Sequence, residues 1–471
     1  MKSETPCNKA GSPGARAPSI GTVWLAFFVF SAVIAGLVQF FVLPHLLSSS
    51  HGGNGLFTGT DAVVFHDIAA RMAAAIRTVG WSAWRLAPEN QAPAGIAAAV
   101  YALTVPQPWT FIPINAALHA TAGVALILIV ESITQSYRAA LCAALPFVLY
   151  PSAAQWYAQI HKDGFYIAGM LLYLYGWLLL ARPGIWKSSL SVIARPMALI
   201  IVGLGLVWIV RPYGIQLMQG VTLIFAVVFA IVLVRAAIRG ATSWGIVLPV
   251  IVLCVAFPLL GLTAKDDRLS IEAPDMNIDR ASLVTTAPNR AAATLAASWL
   301  PTDWLPKQTE NAFFNIARAR TSFVQSYPGA GSNIDTQIAF SQAGDFIGYL
   351  PRAVQIGFFA PFPGGWLEQK AAPAASVMGR IAAVEMLGVY AALLFLPYAL
   401  WAWRRRLEIW LTLIFCGAMI VAYAYAIPNV GALYRMRYGF MMTLVALGVA
   451  GALTAWRDLR ARRAHPTGGA A

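Results

Sequence analysis

Apolar residues fall in runs near 20 residues long, broken by short polar stretches rich in Pro, Gly and basic side chains. About 20 apolar residues cross a bilayer as a helix. Runs of that kind lie at 20–47, 109–131, 139–156, 163–181, 197–215, 217–238, 243–262, 378–403, 409–427 and 438–456. The pattern predicts an all-α integral membrane protein with about ten transmembrane helices. Pro146 and Pro151 interrupt the third run, and Arg211-Pro212-Tyr213-Gly214 separates the fifth from the sixth. The first run is too long for a signal-peptide core and reads as a retained span.

Two connections are much longer than the rest, 48–108 and 263–377. Loops of this length are usually functional when ordered. In the first, Val64, Ile68, Met72, Ala75 and Val79 recur at helical spacing, with Arg71 and Arg77 off the stripe. This predicts a helix from Asp61 to Thr78 lying on the membrane surface. A second short helix, Ala94 to Leu103, follows Pro93. The later loop opens with polar Lys265 to Arg290 and closes with Phe346 to Gly365, apolar but punctuated by Pro and Gly. The closing stretch reads as interfacial or re-entrant. The chain then divides into a tail (1–19), an N-terminal membrane module (20–262), the second loop (263–377), C-terminal membrane helices (378–456) and a basic tail (457–471).

Composition sharpens this. Hydrophobic residues make up 59% and charged residues 11%. Soluble domains carry about 25% charged residues, which excludes an ordinary soluble enzyme. With 16 Trp, 16 Tyr and 24 Phe the chain is not disordered either. Cys7 lies in the tail, and Cys142, Cys254 and Cys416 lie in apolar runs without metal-ligand spacing. The net charge of +14 raises a nucleic-acid partner, which its distribution argues against. With the N-terminus in the cytoplasm, the cytoplasmic segments carry sixteen basic and four acidic residues, leaving a net of +2 elsewhere. Such bias sets membrane topology, so the termini are expected in the cytoplasm and the long loops outside.

Charged groups at the mouth of a helix bundle are costly unless paired, so they are the functional candidates. Asp61 and Asp67 lie early in the first-loop helix, six residues apart and off a common face. Asp61 is placed to cap that helix, and Asp67 to be a solvated surface residue. His161-Lys162-Asp163 joins two spans at the outer side. It either caps and anchors, or binds a phosphate and an acceptor. Arg211, Arg435 and Arg437 sit at outer span ends, where the positive-inside bias disfavours arginine. A guanidinium grips phosphate with a planar fork of donors. Glu385 either pairs with Arg380 or faces a cavity. No phosphate loop, dinucleotide fingerprint or metal motif is present in the sequence.

Several stretches resemble the GT-C superfamily of polytopic glycosyltransferases, including bacterial protein O-mannosyltransferase-like and aminoarabinose-transferase-like enzymes. They are Thr60-Asp61-Ala62-Val63-Val64-Phe65-His66-Asp67, Pro113-Ile114-Asn115, His161-Lys162-Asp163 and Arg435-Met436-Arg437-Tyr438. The resemblance implies sugar transfer from a polyprenyl-phosphate donor to a glycan, lipid or protein acceptor, with inversion. It implies a bacterial inner-membrane location with a periplasmic site. Asp61 would be the catalytic carboxylate, with Asp67 as the other choice. Asp163 would support it, and Arg211, Lys162, Arg435 and Arg437 would hold the donor phosphate. His161 and Glu385 would serve the acceptor or support the site. Many relatives carry a second acid beside the first-loop aspartate, whereas Ala62 follows Asp61 here. No cofactor is therefore fixed, and a divalent metal stays open. The alternatives are a polymerase or ligase acting on diphosphate-linked glycans, and a transporter or flippase of lipid-linked sugar. A transporter should show internal repeats and midplane charges, whereas no clear repeat is seen and the charges gather at outer span ends.

Overall fold

The computed structural model describes residues 17–58, 60–182, 190–240, 298–367 and 373–464. Among the described residues eight helices are long and apolar enough to cross a membrane, or nine if one bent pair counts as a span. The expected span at 243–262 and the polar stretch Lys265 to Arg290 lie outside the described residues. Among the described residues there is no β-strand, only two isolated bridges, His51–Phe57 and Asn333–Asn429. The fold is all-α and membrane-spanning, as the hydrophobic runs require.

Helix α1 (Ile20–Leu37) starts on a Ser19 cap and continues as a π-helical stretch through Val38–Leu46. The first-loop helices are α2 (Asp61–Val79) and α3 (Ala92–Leu103). They pack on each other through Phe65, Ile68, Ala69 and Ile76 on one side and Ala94, Ala97, Ala98 and Tyr101 on the other. The buried stripe of α2 is offset from the one expected: Val79 is exposed, and Phe65 and Ala69 take the inner face. The partner that decided this face, α3, is not legible from the periodicity of α2 alone.

Next come α4 (Ile112–Thr134), α5 (Tyr137–Leu149) and the short α6 (Ala154–Tyr157). The chain bends by 55° between Leu149 and Pro151. Pro146 stays inside α5, so the break is at Pro151 alone. Helix α7 (Asp163–Leu180) is the centre of the bundle and is almost wholly buried. Helices α8 (Leu190–Val210) and α9 (Tyr213–Ile238) are separated by Arg211 and Pro212. The second loop contributes α10 (Lys307–Ser326) and α11 (Ala343–Phe359). The apolar stretch from Phe346 is helical as far as Phe359 and packs on a neighbouring helix. The last elements are α12 (Pro373–Leu394), α13 (Leu396–Trp403), α14 (Leu407–Ala426), the seven-residue α15 (Val430–Met436) and α16 (Tyr438–Ala464).

Small residues let α7 and α8 approach closely, as apolar helices in lipid must do to gain contact. A Cβ added at Gly203 would lie 2.5 Å from the Gly169 carbonyl oxygen and 2.8 Å from Tyr173 N. Gly205, on the same helix, has open space at that position. Gly203→Ala should therefore push the helices apart and cost about 1–3 kcal/mol, the usual range for overpacking. Gly205→Ala should not. Thermal unfolding of the detergent-solubilised pair of variants checks this; equal midpoints would mean the crossing is looser than described.

Candidate functional site

The site is assembled from four connections between helices. Asp61 opens α2. The N-cap position belongs to Thr60, which has extended backbone and donates its hydroxyl to the Phe57 carbonyl at 2.8 Å. Asp61 is the first helical residue, so the expectation that it caps the helix is corrected. A carboxylate there is favoured by the helix N-terminus yet keeps its oxygens for other partners. Only 14% of its side chain is exposed.

The turn before α7 brings His161 and Asp163 to the same place. Asp163 is 1% exposed. Its Oδ1 accepts from Arg211 Nη2 at 2.6 Å, and its Oδ2 lies 2.8 Å from His161 Nδ1 and 3.3 Å from Arg435 Nε. His161 Nε2 faces Arg435 Nη1 at 3.1 Å and Asp61 Oδ2 at 3.9 Å. Arg435 Nη2 is also 3.9 Å from Asp61 Oδ2. Two carboxylates, two guanidinium groups and one imidazole therefore meet where four connections converge.

Amide side chains add to the charged contacts in holding the turn that carries His161. Gln159 accepts from Phe57 N at 3.0 Å and donates to the Gly55 carbonyl at 3.0 Å. Asn115 on α4 donates to the Gln159 carbonyl and Gln39 to the Ala158 carbonyl, each at 2.5 Å. Sequence reasoning passed over Gln39 and Gln159. Their only signal was an amide side chain inside an apolar run, in Val38-Gln39-Phe40 and Ala158-Gln159-Ile160.

Other candidates fall elsewhere. Asp67 is exposed on α2, and the structure does not bring it to the cluster. Its neighbour His66 is buried, bonded to the Tyr101 hydroxyl at 2.9 Å. Burial pushes the His66 imidazole down, against the pull of Asp67. Lys162 places its ammonium 5.5 Å from the centre of the Phe65 ring. Arg211 is buried, and its guanidinium stacks 4.9 Å over the Tyr166 ring. Glu385 does not pair with Arg380, which is exposed. Its carboxylate accepts from Ser152 N at 2.6 Å, from Ser152 Oγ at 2.5 Å and from the Tyr434 hydroxyl at 2.8 Å. It ties α12 to the bend after α5 and to α15.

Arg437 separates from Arg435 entirely. It is 1% exposed and donates to the carbonyls of Ile356, Gly357 and Ala360 at the end of α11. Burial pushes its guanidinium down to about 10, so it stays charged at neutral pH. The geometry gives it a structural task, closing a helix C-terminus with a cation, in place of the phosphate contact expected from sequence.

Two adjoining cavities open beside the cluster, of about 320 and 420 Å³. Gln155, Trp156, Met378 and Arg435 line both. The first is rich in hydroxyl and amide groups, with Ser50, Thr58, Thr60, Gln159 and His161. The second has Trp366, Ala382, Val430 and Tyr434, together with Ser152 and Ser332. Of the four basic residues proposed for phosphate, Arg435 alone lines either cavity. Among the described residues no group of three or more His, Cys, Asp or Glu is arranged to hold a metal ion. Arg435 stands between the carboxylates of Asp61 and Asp163.

No protein-family model and no curated protein sequence matches the chain. Two solved structures resemble it in fold, both of an oligosaccharyltransferase from Archaeoglobus fulgidus. The apo form is 13% identical, with a TM-score of 0.48. The enzyme AglB in complex with an inhibitory peptide and a dolichol-phosphate is 15% identical, with a TM-score of 0.45. Each match covers 95% of this chain and 52% of the other, so the chain spans about half the length of the structures it matches.

The buried pair makes a testable demand. Removing one partner of a buried ion pair leaves an uncompensated charge and costs about 3–5 kcal/mol. Asp163→Ala should therefore destabilise strongly. Asp163→Ala/Arg211→Met should recover at least ~1 kcal/mol of that loss, because the stranded charge is gone. Thermal unfolding of the single and double variants in detergent reads this, and additive losses would mean the two groups are not coupled.

Proposed function

We propose that the chain is a GT-C-type membrane glycosyltransferase that moves a sugar from a polyprenyl-phosphate donor to a hydroxyl acceptor, with inversion. The observation that carries this is the meeting of Asp61, His161 and Arg435 beside two adjoining cavities. A lipid-linked sugar phosphate needs three things: a slot for the start of an apolar chain, a cation for phosphate, and a hydroxyl-rich space with a base. The second cavity, Arg435 at the junction, and the first cavity beside Asp61 supply them in that order.

In this reading the acceptor hydroxyl enters the first cavity next to Asp61. Asp61 takes its proton as the oxygen attacks the anomeric carbon opposite the phosphate. The bond from that carbon to the phosphate oxygen breaks, and the electron pair leaves with the phosphate. Arg435 offsets the charge that grows there. Arg211 and Asp163 hold the turn in place, and Arg437 holds α11. The bacterial inner membrane, cytoplasmic termini and a periplasmic site complete the proposal, supported by the charge distribution along the chain.

Two experiments test it. Asp61→Asn should abolish transfer while the protein still folds, since asparagine suits a helix start but cannot take a proton. Arg435→Ala should weaken binding of a short-chain polyprenyl-phosphate sugar about tenfold or more, as lost charge-assisted hydrogen bonds do. Arg437→Ala should chiefly lower the unfolding temperature. Near-normal turnover in Asp61→Asn, or unchanged donor affinity in Arg435→Ala, would sink the respective role. For orientation, single cysteines at Thr104 and Arg405 in a cysteine-free background should differ: only the first should react with an impermeant reagent on intact cells. The reverse pattern would overturn the topology.

A further inference from the structure

We propose that the base is a pair. His161 takes the acceptor's proton onward from Asp61, at Nε2, and Arg435 controls when it can. This goes beyond the transferase reading and rests on it.

The geometry fixes the tautomer. Nδ1 of His161 lies 2.8 Å from a carboxylate oxygen of Asp163, while the Asp163 backbone N–H is farther off at 3.3 Å. Arg435 can only donate, so at 3.1 Å its Nη1 meets a lone pair on Nε2, which in a neutral ring leaves the proton on Nδ1, beside Asp163. Nε2 then carries the lone pair, turned toward Arg435, and His161 lines the first cavity. An imidazole oriented by a carboxylate on one nitrogen and free to accept on the other is the arrangement of a general base. His161 is 4% exposed and has little room to turn.

Three charged groups face this ring. Asp163 on α7 holds Nδ1, Asp61 on α2 stands 3.9 Å from Nε2, and Arg435 on α15 donates to Nε2 from 3.1 Å. Arg211 reaches the ring only through Asp163, and Lys162 is the next residue in the chain. While Arg435 occupies Nε2, that nitrogen cannot accept a proton, and 3.9 Å is too long for a hydrogen bond from Asp61. Arg435 also lines both cavities and is 24% exposed, so an incoming phosphate competes for its donors. Phosphate binding would draw the guanidinium off Nε2. The imidazole becomes a base only when the donor is in place.

The charges then balance. Two carboxylates, two guanidinium groups and a neutral imidazole sum to zero. The donor brings a phosphodiester monoanion, and the acceptor is neutral. The acceptor's O–H bond breaks and its oxygen bonds to the anomeric carbon. The carbon–phosphate oxygen bond breaks, leaving a phosphate monoester dianion. The released proton passes from Asp61 to Nε2, and the imidazolium faces the new negative charge.

The test is His161→Asn. The asparagine amide can keep the hydrogen bond to Asp163 in the place of Nδ1–H but offers nothing at Nε2. A merely structural histidine should survive this change. The expected result is a fall in kcat of about 10²-fold, the low end for a general base. Affinity for a short-chain polyprenyl-phosphate sugar should stay within twofold, and the rise of kcat with pH expected of the parent should be lost. In the parent, ¹⁵N-histidine titration should show the His161 midpoint moving up by at least one pH unit on adding short-chain polyprenyl phosphate. An unchanged kcat and pH profile in His161→Asn would overturn the pair and leave Asp61 as sole base. If His161→Asn fails to fold, an unmoved His161 midpoint in the parent overturns the proposal instead. Retained turnover in Asp61→Asn would count against the transferase base itself, a separate failure.

Discussion

Asp163 is the group on which the rest of the site depends. A carboxylate 1% exposed is tolerable only if its charge is matched and its oxygens are bonded. Arg211 binds one oxygen; His161 and Arg435 crowd the other. These partners come from the α8–α9 connection, the turn before α7 and the short helix α15. One buried charge thus obliges three distant parts of the chain to meet. It also fixes the imidazole's orientation and the resting place of Arg435. Removing it would leave buried Arg211 without its counter-charge and Arg435 with only Asp61, 3.9 Å away.

Helix α15 carries Arg435 yet has only seven residues, far too few to be stable alone. Its position is imposed from outside. Asn429 caps it by accepting from Ala432 N at 2.9 Å, and the same residue bonds Ser332 and Asn333 of the second loop. Backbone bonds from Val430 to Ser332 and from Ile334 to Pro428 complete the seam. Tyr434 is held by Glu385 and by the Tyr150 hydroxyl, 2.5 Å away. Glu385 therefore matters through what it positions: it links the bend at Pro151, the membrane helix α12 and the arginine next to Tyr434.

Much of this was legible in the sequence because membranes impose simple rules. Run length gave the spans, and misplaced charges pointed to Asp61, His161, Asp163, Arg211 and Arg435. What was not legible was the direction of each side chain. Arg435 and Arg437 are two residues apart, with the same charge at the same span end, and nothing in composition separates them. Two residues is more than half a helical turn, so they face nearly opposite ways. One meets the cavities and the other the end of α11. Arg211 was picked for the right depth but the wrong partner, since only the folded chain brings Asp163 to it. Gln159 and Asn429 were missed because an uncharged amide raises no alarm in an apolar run, although amides do most of the positioning here.

The arginines themselves show how a ligand site can be told from scaffolding. Arg320 on α10 donates from Nε, Nη1 and Nη2 to the carbonyls of Ile338, Tyr425 and Asp335. Arg437 is likewise spent on carbonyls. Such forks are satisfied by backbone that cannot move without unwinding a helix, so they hold structure and have nothing left to offer. Arg435 differs in kind. Its Nη2 comes no nearer than 3.9 Å to Asp61, and its Nε is buried without a well-aligned acceptor. A guanidinium left under-bonded beside two cavities would gain from a bidentate oxyanion, because unmet buried donors cost about 1–3 kcal/mol each. In the transferase reading proposed above, the incomplete satisfaction of Arg435 beside the cavities, more than its charge, is what supports placing the phosphate at this corner of the bundle.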